Sequence, residues 1–246
     1  MRMIVVIPTY NELENIKKLI PILLNLNQDL EVLVVDDNSP DGTGNYVEQL
    51  SLENNRVHIL KRKGKMGLGT AYIEGFKWVL QQNPAFDYIF QMDADFSHEP
   101  LKILEFIDAL KDYDVVIGSR YLNGVSVVNW PIKRLMLSYF ANWYARTLAG
   151  LKIRDCTGGF KGFRRIVLEH LPFEYITSDG YAFQIEVNYY VQKLGFKMTE
   201  IPIIFIDRHS GTSKLSRRIV YEAVYKVIFL LFDRLFNIKK IKGPVI

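Results

Sequence analysis

The chain has 246 residues, 49% apolar and 24% charged, enough to bury one full core or one core with an appendage. Its single cysteine, Cys156, excludes an intrachain disulfide, and no charged-apolar-small leader opens the sequence, so a reducing cytoplasmic setting is expected. The formal charge of +4 is unevenly laid out. Arg120, Lys133, Arg134, Arg146, Lys152 and Arg154 follow one another with no acidic residue between them, as do Arg208, Lys214, Arg217 and Arg218; Lys239, Lys240 and Lys242 close the chain. An anionic partner is expected. These basic runs adjoin apolar helical stretches rather than base-stacking or groove-reading motifs, which favours a phosphorylated lipid over nucleic acid.

In the first half, β-rich runs at Met3–Pro8, Val32–Asp36, Val57–Lys61, Tyr88–Met92 and Val115–Gly118 alternate with helical patterns. Those helices are expected near Glu12–Leu26, Gly44–Glu53, Gly69–Gln82 and Pro100–Leu110. Continuous Val and Ile content predicts strands buried on both faces, and the β-α rhythm predicts a Rossmann-like, mainly parallel sheet flanked by helices. Ligands of such sheets bind beyond the carboxyl ends of the strands, which here are polar at Thr9-Tyr10-Asn11-Glu12, Asp36-Asp37-Asn38, Asp93-Ala94-Asp95 and Ser119-Arg120. The first of these lacks the glycine fingerprint of a dinucleotide fold.

Asp93 and Asp95 stand one residue apart at a strand end, so both project to one face and suit a hard divalent cation that bridges phosphates. Solvated turn acids are the plainer alternative. Asp37, in a loop of turn-forming residues, is a candidate for a nucleobase or ribose. His98 reads as an ordinary helix-start histidine, with metal approach as the rival.

After Arg120 the rhythm fades. Ile132–Leu148 reads as a helix whose Tyr139, Phe140, Trp143 and Tyr144 suit core packing or membrane contact equally. Asp155–Arg165 reads as a glycine-rich turn with positive φ and a basic tail. Ser178 or Asp179 is a plausible cap for a helix through Glu186. Ile201–Ile206 reads as one strand. A last helix, Ile219–Phe236, carries Glu222, Lys226 and Asp233 on one narrow stripe; it is too short in apolar residues to span a bilayer and either packs on the domain or lies on a membrane surface.

Taken together, Pro8-Thr9-Tyr10-Asn11-Glu12, Val34 to Thr43, Met92-Asp93-Ala94-Asp95, Gly118-Ser119-Arg120-Tyr121 and Arg208 to Lys214 resemble family 2 glycosyltransferases of GT-A fold. More narrowly they resemble polyprenol-phosphate (dolichol-phosphate) mannosyltransferases. The resemblance implies a GT-A domain over residues 1–218 and a C-terminal amphipathic helix with a basic tail over 219–246. It implies that Pro8, Tyr10, Glu12, Val35 and Asp37 line a nucleotide pocket, and that Asp93, Ala94 and Asp95 meet the donor diphosphate and Mg²⁺ or Mn²⁺. Arg120, Lys133, Arg134, Arg208 and Lys214 would hold donor or acceptor phosphate, with Arg134 the acceptor clamp. Ser97 stands where many members place a metal-binding Gln, and Lys161 where many place Arg.

The implied reaction is inverting transfer of mannose from GDP-mannose to a polyprenyl phosphate of dolichyl or undecaprenyl type, by a protein held peripherally at the cytoplasmic face of a membrane, with a membrane-anchoring protein as a possible partner. Two rivals stand beside it: transfer of glucose or N-acetylglucosamine from a UDP-sugar to lipid phosphate or saccharide, and a non-catalytic membrane-surface subunit that binds nucleotide sugar.

Overall fold

In the computed structural model, which describes residues 1–206, 217–241 and 243, the strands are β1 (Met3–Thr9), β2 (Leu30–Asp36), β3 (Val57–Lys61), β4 (Tyr88–Gln91), β5 (Val115–Ser119), β6 (Val127–Val128), β7 (Lys161–Arg164), β8 (Met198–Pro202) and β9 (Phe205–Ile206). Seven of them form one sheet in the order β3-β2-β1-β4-β7-β5-β8, and β6 pairs separately with β9. All pairings in the large sheet are parallel except those of β7, which runs antiparallel between β4 and β5. The expected mainly parallel sheet flanked by helices is therefore present. β2 and β5 are buried at every position, whereas β3, at the sheet edge, is only half-buried.

Helices α1 (Leu13–Leu26), α2 (Thr43–Glu53) and α4 (Lys102–Ala109) close one core on one face of the sheet; α3 (Leu68–Leu80), α6 (Arg165–His170) and α7 (Gly180–Lys193) close the other. Two further helices, α5 (Ile132–Ala149) and α8 (Arg217–Phe236), join this second core through Ala145, Ala149, Val227 and Leu230. Strand order reverses between β1 and β4, with β2 and β3 stacked on one side and β7, β5 and β8 on the other. The crevice at such a reversal is where open α/β sheets bind ligands, so Thr9–Glu12 and Asp93–Asp95 face one space.

Two expectations are corrected. The later part of the glycine-rich stretch after Asp155 is strand β7, and Gly158, Gly159 and Gly162 are not among the positive-φ residues. Glycine is needed at 162 for closeness instead: a β-carbon there would stand 3.1 Å from the Phe90 ring across the strand pair. The stretch from Ile201 to Ile206 is two strands, because the chain leaves β5 after Pro202, which lacks a donor, and crosses to β6, where the Phe205 amide donates to Ser126.

α8 turns its polar stripe inward, and α5 turns in Asn142 beside Ala145 and Ala149. Glu222 accepts from the Asp179 amide, Lys226 pairs with Glu186 at 3.1 Å, and fully buried Asp233 accepts from Tyr189 and Lys193 at 2.7 and 2.6 Å. On α5, buried Asn142 accepts from the Cys156 amide at 2.6 Å. The outward faces are aromatic and aliphatic: Met136, Tyr139, Phe140 and Trp143 on α5, and Tyr221, Tyr225, Phe232 and Phe236 on α8, with Trp143 56% and Tyr225 70% exposed. This reverses the usual amphipathic arrangement of a surface helix. No helix among the described residues is long and apolar enough to cross a membrane.

Candidate active site

The crevice is built by two loops tied to one another. Thr9 donates its hydroxyl to Asp36 at 2.8 Å, and Asp36 also accepts from the amide and hydroxyl of Ser39 at 2.9 and 2.6 Å. The Asn11 amide donates to the Ser39 hydroxyl, and the Leu13 amide to Asp41. A β-carbon at Gly44 would stand 2.7 Å from the Asp36 carboxylate, so glycine there lets α2 start against the acid. Glu12 accepts from Asn15, and the Tyr10 ring lies 4.4 Å from the Lys65 ammonium. Val35 is fully buried against Gly75 of α3.

Asp37 is 6% exposed and accepts from Arg62 at 2.7 Å and from the Met66 amide at 3.1 Å. Burial raises its pKa above the ordinary aspartate value against the opposing pull of Arg62. Arg62 went unnoticed in the sequence because its partner is 25 residues away; its signal was the basic run Arg62-Lys63-Gly64-Lys65 directly after β3.

At the end of β4, Asp93 keeps its side chain 30% exposed and accepts from the Tyr72 hydroxyl at 3.2 Å. Its amide donates to His98 Nδ1 at 3.1 Å. That bond makes Nδ1 the acceptor, so His98 carries its proton on Nε2, 4.0 Å from Asp93 Oδ2. Stacked on Phe160 and edge-on to Phe205, His98 is buried, and burial lowers its pKa. It braces the turn. Asp95 accepts from the Ser97 amide at 3.0 Å and hydroxyl at 2.6 Å, which orders the loop through Phe96, whose φ is +60°. Ala94 is buried between the two acids.

Arg120 follows the end of β5. It is 4% exposed, and its guanidinium donates twice to Asp155, at 2.7 and 2.6 Å, and once to Thr157 at 2.8 Å. The rings of Tyr121, Trp130 and Phe205 surround it at 5.5 to 5.6 Å. Burial by itself would raise the pKa of Asp155, but the Arg120 charge and hydrogen bonds overcome this and hold it below the ordinary value. Arg120 thereby joins the end of β5 to the loop before β7. Lys133 is exposed in the first turn of α5, and Arg134 lies over Trp130 at 4.2 Å. Arg208 and Lys214 lie outside the described residues.

The model of the glycosyl transferase family 2 domain matches residues 4–172 of this chain. The chain belongs to glycosyltransferase family 2. This glycosyltransferase is 41% identical over 227 residues to undecaprenyl-phosphate mannosyltransferase of Micrococcus luteus, covering 92% of this chain and 93% of that protein. It is 42% identical over 228 residues to polyprenol monophosphomannose synthase of Mycolicibacterium smegmatis, covering 92% and 85%. Among solved structures, it resembles glucosyl-3-phosphoglycerate synthase of Mycobacterium tuberculosis in complex with Mn²⁺, UDP and phosphoglyceric acid, with a TM-score of 0.63 at 18% identity, covering 96% of this chain and 78% of that one. The fold is GT-A.

Two features of the glycosyltransferase bear on ligands. No group of three or more His, Cys, Asp and Glu suited to a metal occurs among the described residues. Asp93 and Asp95 still fit a hard cation of the magnesium kind, which takes one or two carboxylates and completes its shell with phosphate and water. The second feature, not foreseen from the sequence, is an apolar cavity of about 120 Å³ between α5, α7 and α8, with Arg134, Trp130, Thr157 and Tyr181 among its lining residues and Phe140, Ile185 and Val227 in its apolar wall.

Proposed function

We propose that this enzyme transfers mannose from GDP-mannose to a polyprenyl phosphate with inversion at the anomeric carbon, at a membrane surface. The observation that carries the acceptor is the apolar cavity with a cation at its lining: Arg134 beside Trp130 suits a phosphate headgroup, and the Leu137-Phe140-Val224-Val227 wall suits isoprenoid methyls. The names of the two relatives support the same reading. A bound Mg²⁺ or Mn²⁺ would be held by Asp93 and Asp95 and would neutralise charge on the departing diphosphate. Tyr72 and His98 hold Asp93 in place for that task.

The chemistry requires no general base. A phosphate monoester has a second pKa of about 6, so its attacking oxygen is already largely anionic at neutral pH. A sugar hydroxyl would need a base. Glu186, a carboxylate near the cavity, is 1% exposed and engaged by the Thr177 and Ser178 amides and by Lys226. This favours the phosphate acceptor over a saccharide.

A matrix of GDP-mannose, UDP-glucose and UDP-N-acetylglucosamine against polyprenyl phosphate and an oligosaccharide tests the reading, scored by chloroform-extractable labelled sugar. Label from GDP-mannose on polyprenyl phosphate is expected; transfer from a UDP-sugar alone would overturn the donor, and a water-soluble product the acceptor. Arg134→Ala is expected to raise the acceptor KM on the order of tenfold or more, a charge-assisted contact being lost, while the donor KM stays within about twofold. Equal rises in both would remove Arg134 from the acceptor site.

The outward aromatic faces of α5 and α8, with Lys133, Arg146 and Lys240 exposed nearby, suit peripheral attachment to anionic lipid. Trp143→Ser with Tyr225→Ser is expected to abolish co-sedimentation with vesicles containing phosphatidylglycerol. Stability should change by less than about 1 kcal/mol, because both side chains are exposed. Deleting 219–246 is expected to unfold the protein instead, since Val227, Leu230 and Asp233 lie in the core.

A further inference from the structure

Lys161 opens β7, facing Gln91 of β4 on one side and Ile117 of β5 on the other. Cross-strand partners share a face, so its side chain leaves the sheet toward α7. There the ammonium donates to Gln184 Oε1, which also accepts from Gln91 Nε2 at 2.9 Å. Lys161 is 0% exposed and forms no ion pair among the described residues. A buried ammonium held only by a neutral amide is unfavourable unless its charge is used. Asp155 is the largest attractive influence on it, but that carboxylate is already committed to Arg120 through three hydrogen bonds.

The remaining anion on this side is Asp93, two residues beyond Gln91 in the chain. A β-carbon at Gly159 would stand 3.6 Å from each of Asp93 Oδ2, Gln184 Nε2 and His98 Cε1, so the Lys161–Gln184 pair borders the same small space as the Asp93 carboxylate. Lysine has donors only, so it dictates which end of the Gln184 amide faces it. The oxygen turns to Lys161 and to Gln91, and the NH₂ faces away from the ammonium. Gln91 Oε1, buried in the same cluster, has no hydrogen-bond partner, so the cluster retains acceptor capacity beside an excess positive charge.

We infer that Lys161 is the buried counter-charge of the donor site: held by Gln184, it offsets the negative charge that gathers at Asp93 when a nucleoside diphosphate binds. Lys161 thus acts through its charge and not by touching the substrate. The inference rests on the proposed reading that Asp93 and Asp95 face the donor diphosphate. Burial, pushing the Lys161 pKa down to about 7 against Asp155, Cys156 and Asp93, is consistent with a site built to receive further negative charge.

The full chain and its Lys161→Met, Lys161→Arg and Gln184→Glu variants are titrated calorimetrically with GDP and with UDP in the presence of Mn²⁺. Binding of neither nucleotide by the wild type would sink the donor-site reading itself. With the wild type binding, Lys161→Met and Gln184→Glu are expected to weaken affinity on the order of tenfold, a low-dielectric charge having been removed or cancelled, and to raise the donor KM but not the acceptor KM. Lys161→Arg is expected to stay near wild type. Wild-type affinity in folded Lys161→Met, or in Gln184→Glu, would overturn the inference. If Lys161→Met does not fold, Gln184→Glu decides, because its carboxylate pairs with the ammonium and keeps the core closed.

Discussion

Asp95→Ala is expected to lower metal-dependent sugar transfer by about 10³-fold, the scale seen when a preorganised electrostatic stabiliser of a leaving group is removed. The fold should survive. Asp95 contributes locally by accepting from the Ser97 amide and hydroxyl, so its loss costs about 1 kcal/mol of stability. Initial rates measured across a Mn²⁺ titration, together with the thermal midpoint, separate the two effects. Full turnover with an intact fold would remove Asp95 from the reaction. A collapse of activity that tracks a collapse of the thermal midpoint would make it a turn former and nothing more, the plainer reading its position at a strand end allows.

Asp155→Ala is the second large effect, and it falls on stability. The substitution strands a guanidinium that is 4% exposed and ringed by three aromatic side chains. Removing one partner of a buried ion pair costs about 3–5 kcal/mol. For a chain of this length that corresponds to a fall of roughly 6–20 °C in thermal midpoint. Replacing both partners, as Arg120→Met with Asp155→Leu, is expected to recover much of the loss, since a well-packed apolar pair avoids the desolvation cost.

The pH dependence has a defined sign. The folded pKa of Asp155 is held below its ordinary value, so the unfolded chain binds this proton more readily. Stability from the pair is therefore fully present above the unfolded value of about 4 and is lost as pH falls toward the folded value. Urea unfolding between pH 7 and pH 3 should show this loss in the wild type and a flatter profile in Asp155→Ala. An equal slope in both would place the acid sensitivity elsewhere.

Activity bears on the same pair. Arg120 is bound to Asp155 and Thr157, so its substitution is expected to move the loop at 155–160, which carries Gly159 near Asp93, and to alter transfer at least in part by that route. His98 shows the same division of labour. Its Nδ1 is taken by the Asp93 amide, so the imidazole supports the turn and is no ligand through that nitrogen.

Much of this molecule was legible in one dimension. Unbroken runs such as Val32 to Val35 specify strands buried on both faces, and polar residues at their ends mark where the sheet opens to ligand. The alternation of strand and helix through Ser119 is local in origin, being written in hydrophobic period and turn chemistry, and it fixes a parallel sheet with Asp93 and Asp95 at its rim. The Asp179 cap of α7 is equally local, its side chain accepting from the next amide.

What was decided only in three dimensions involves partners far apart in the chain. β7 inserts antiparallel between β4 and β5 although it follows β5 by some forty residues of sequence, and a four-residue segment whose one large apolar side chain is Phe163 has no period to announce it. Arg120 meets Asp155, Arg62 meets Asp37, and Lys161 is buried in the core beneath Gln184, and none of these pairings is marked by local sequence. On α5 and α8 the residue pattern defines two faces but not which is covered. Packing against α7 took the charged stripe of α8 because Glu222, Lys226 and Asp233 all find partners there, and left the aromatics outside. Periodicity encodes that a helix has sides; only the neighbours, through the hydrogen bonds and charges they offer, determine which side faces the protein.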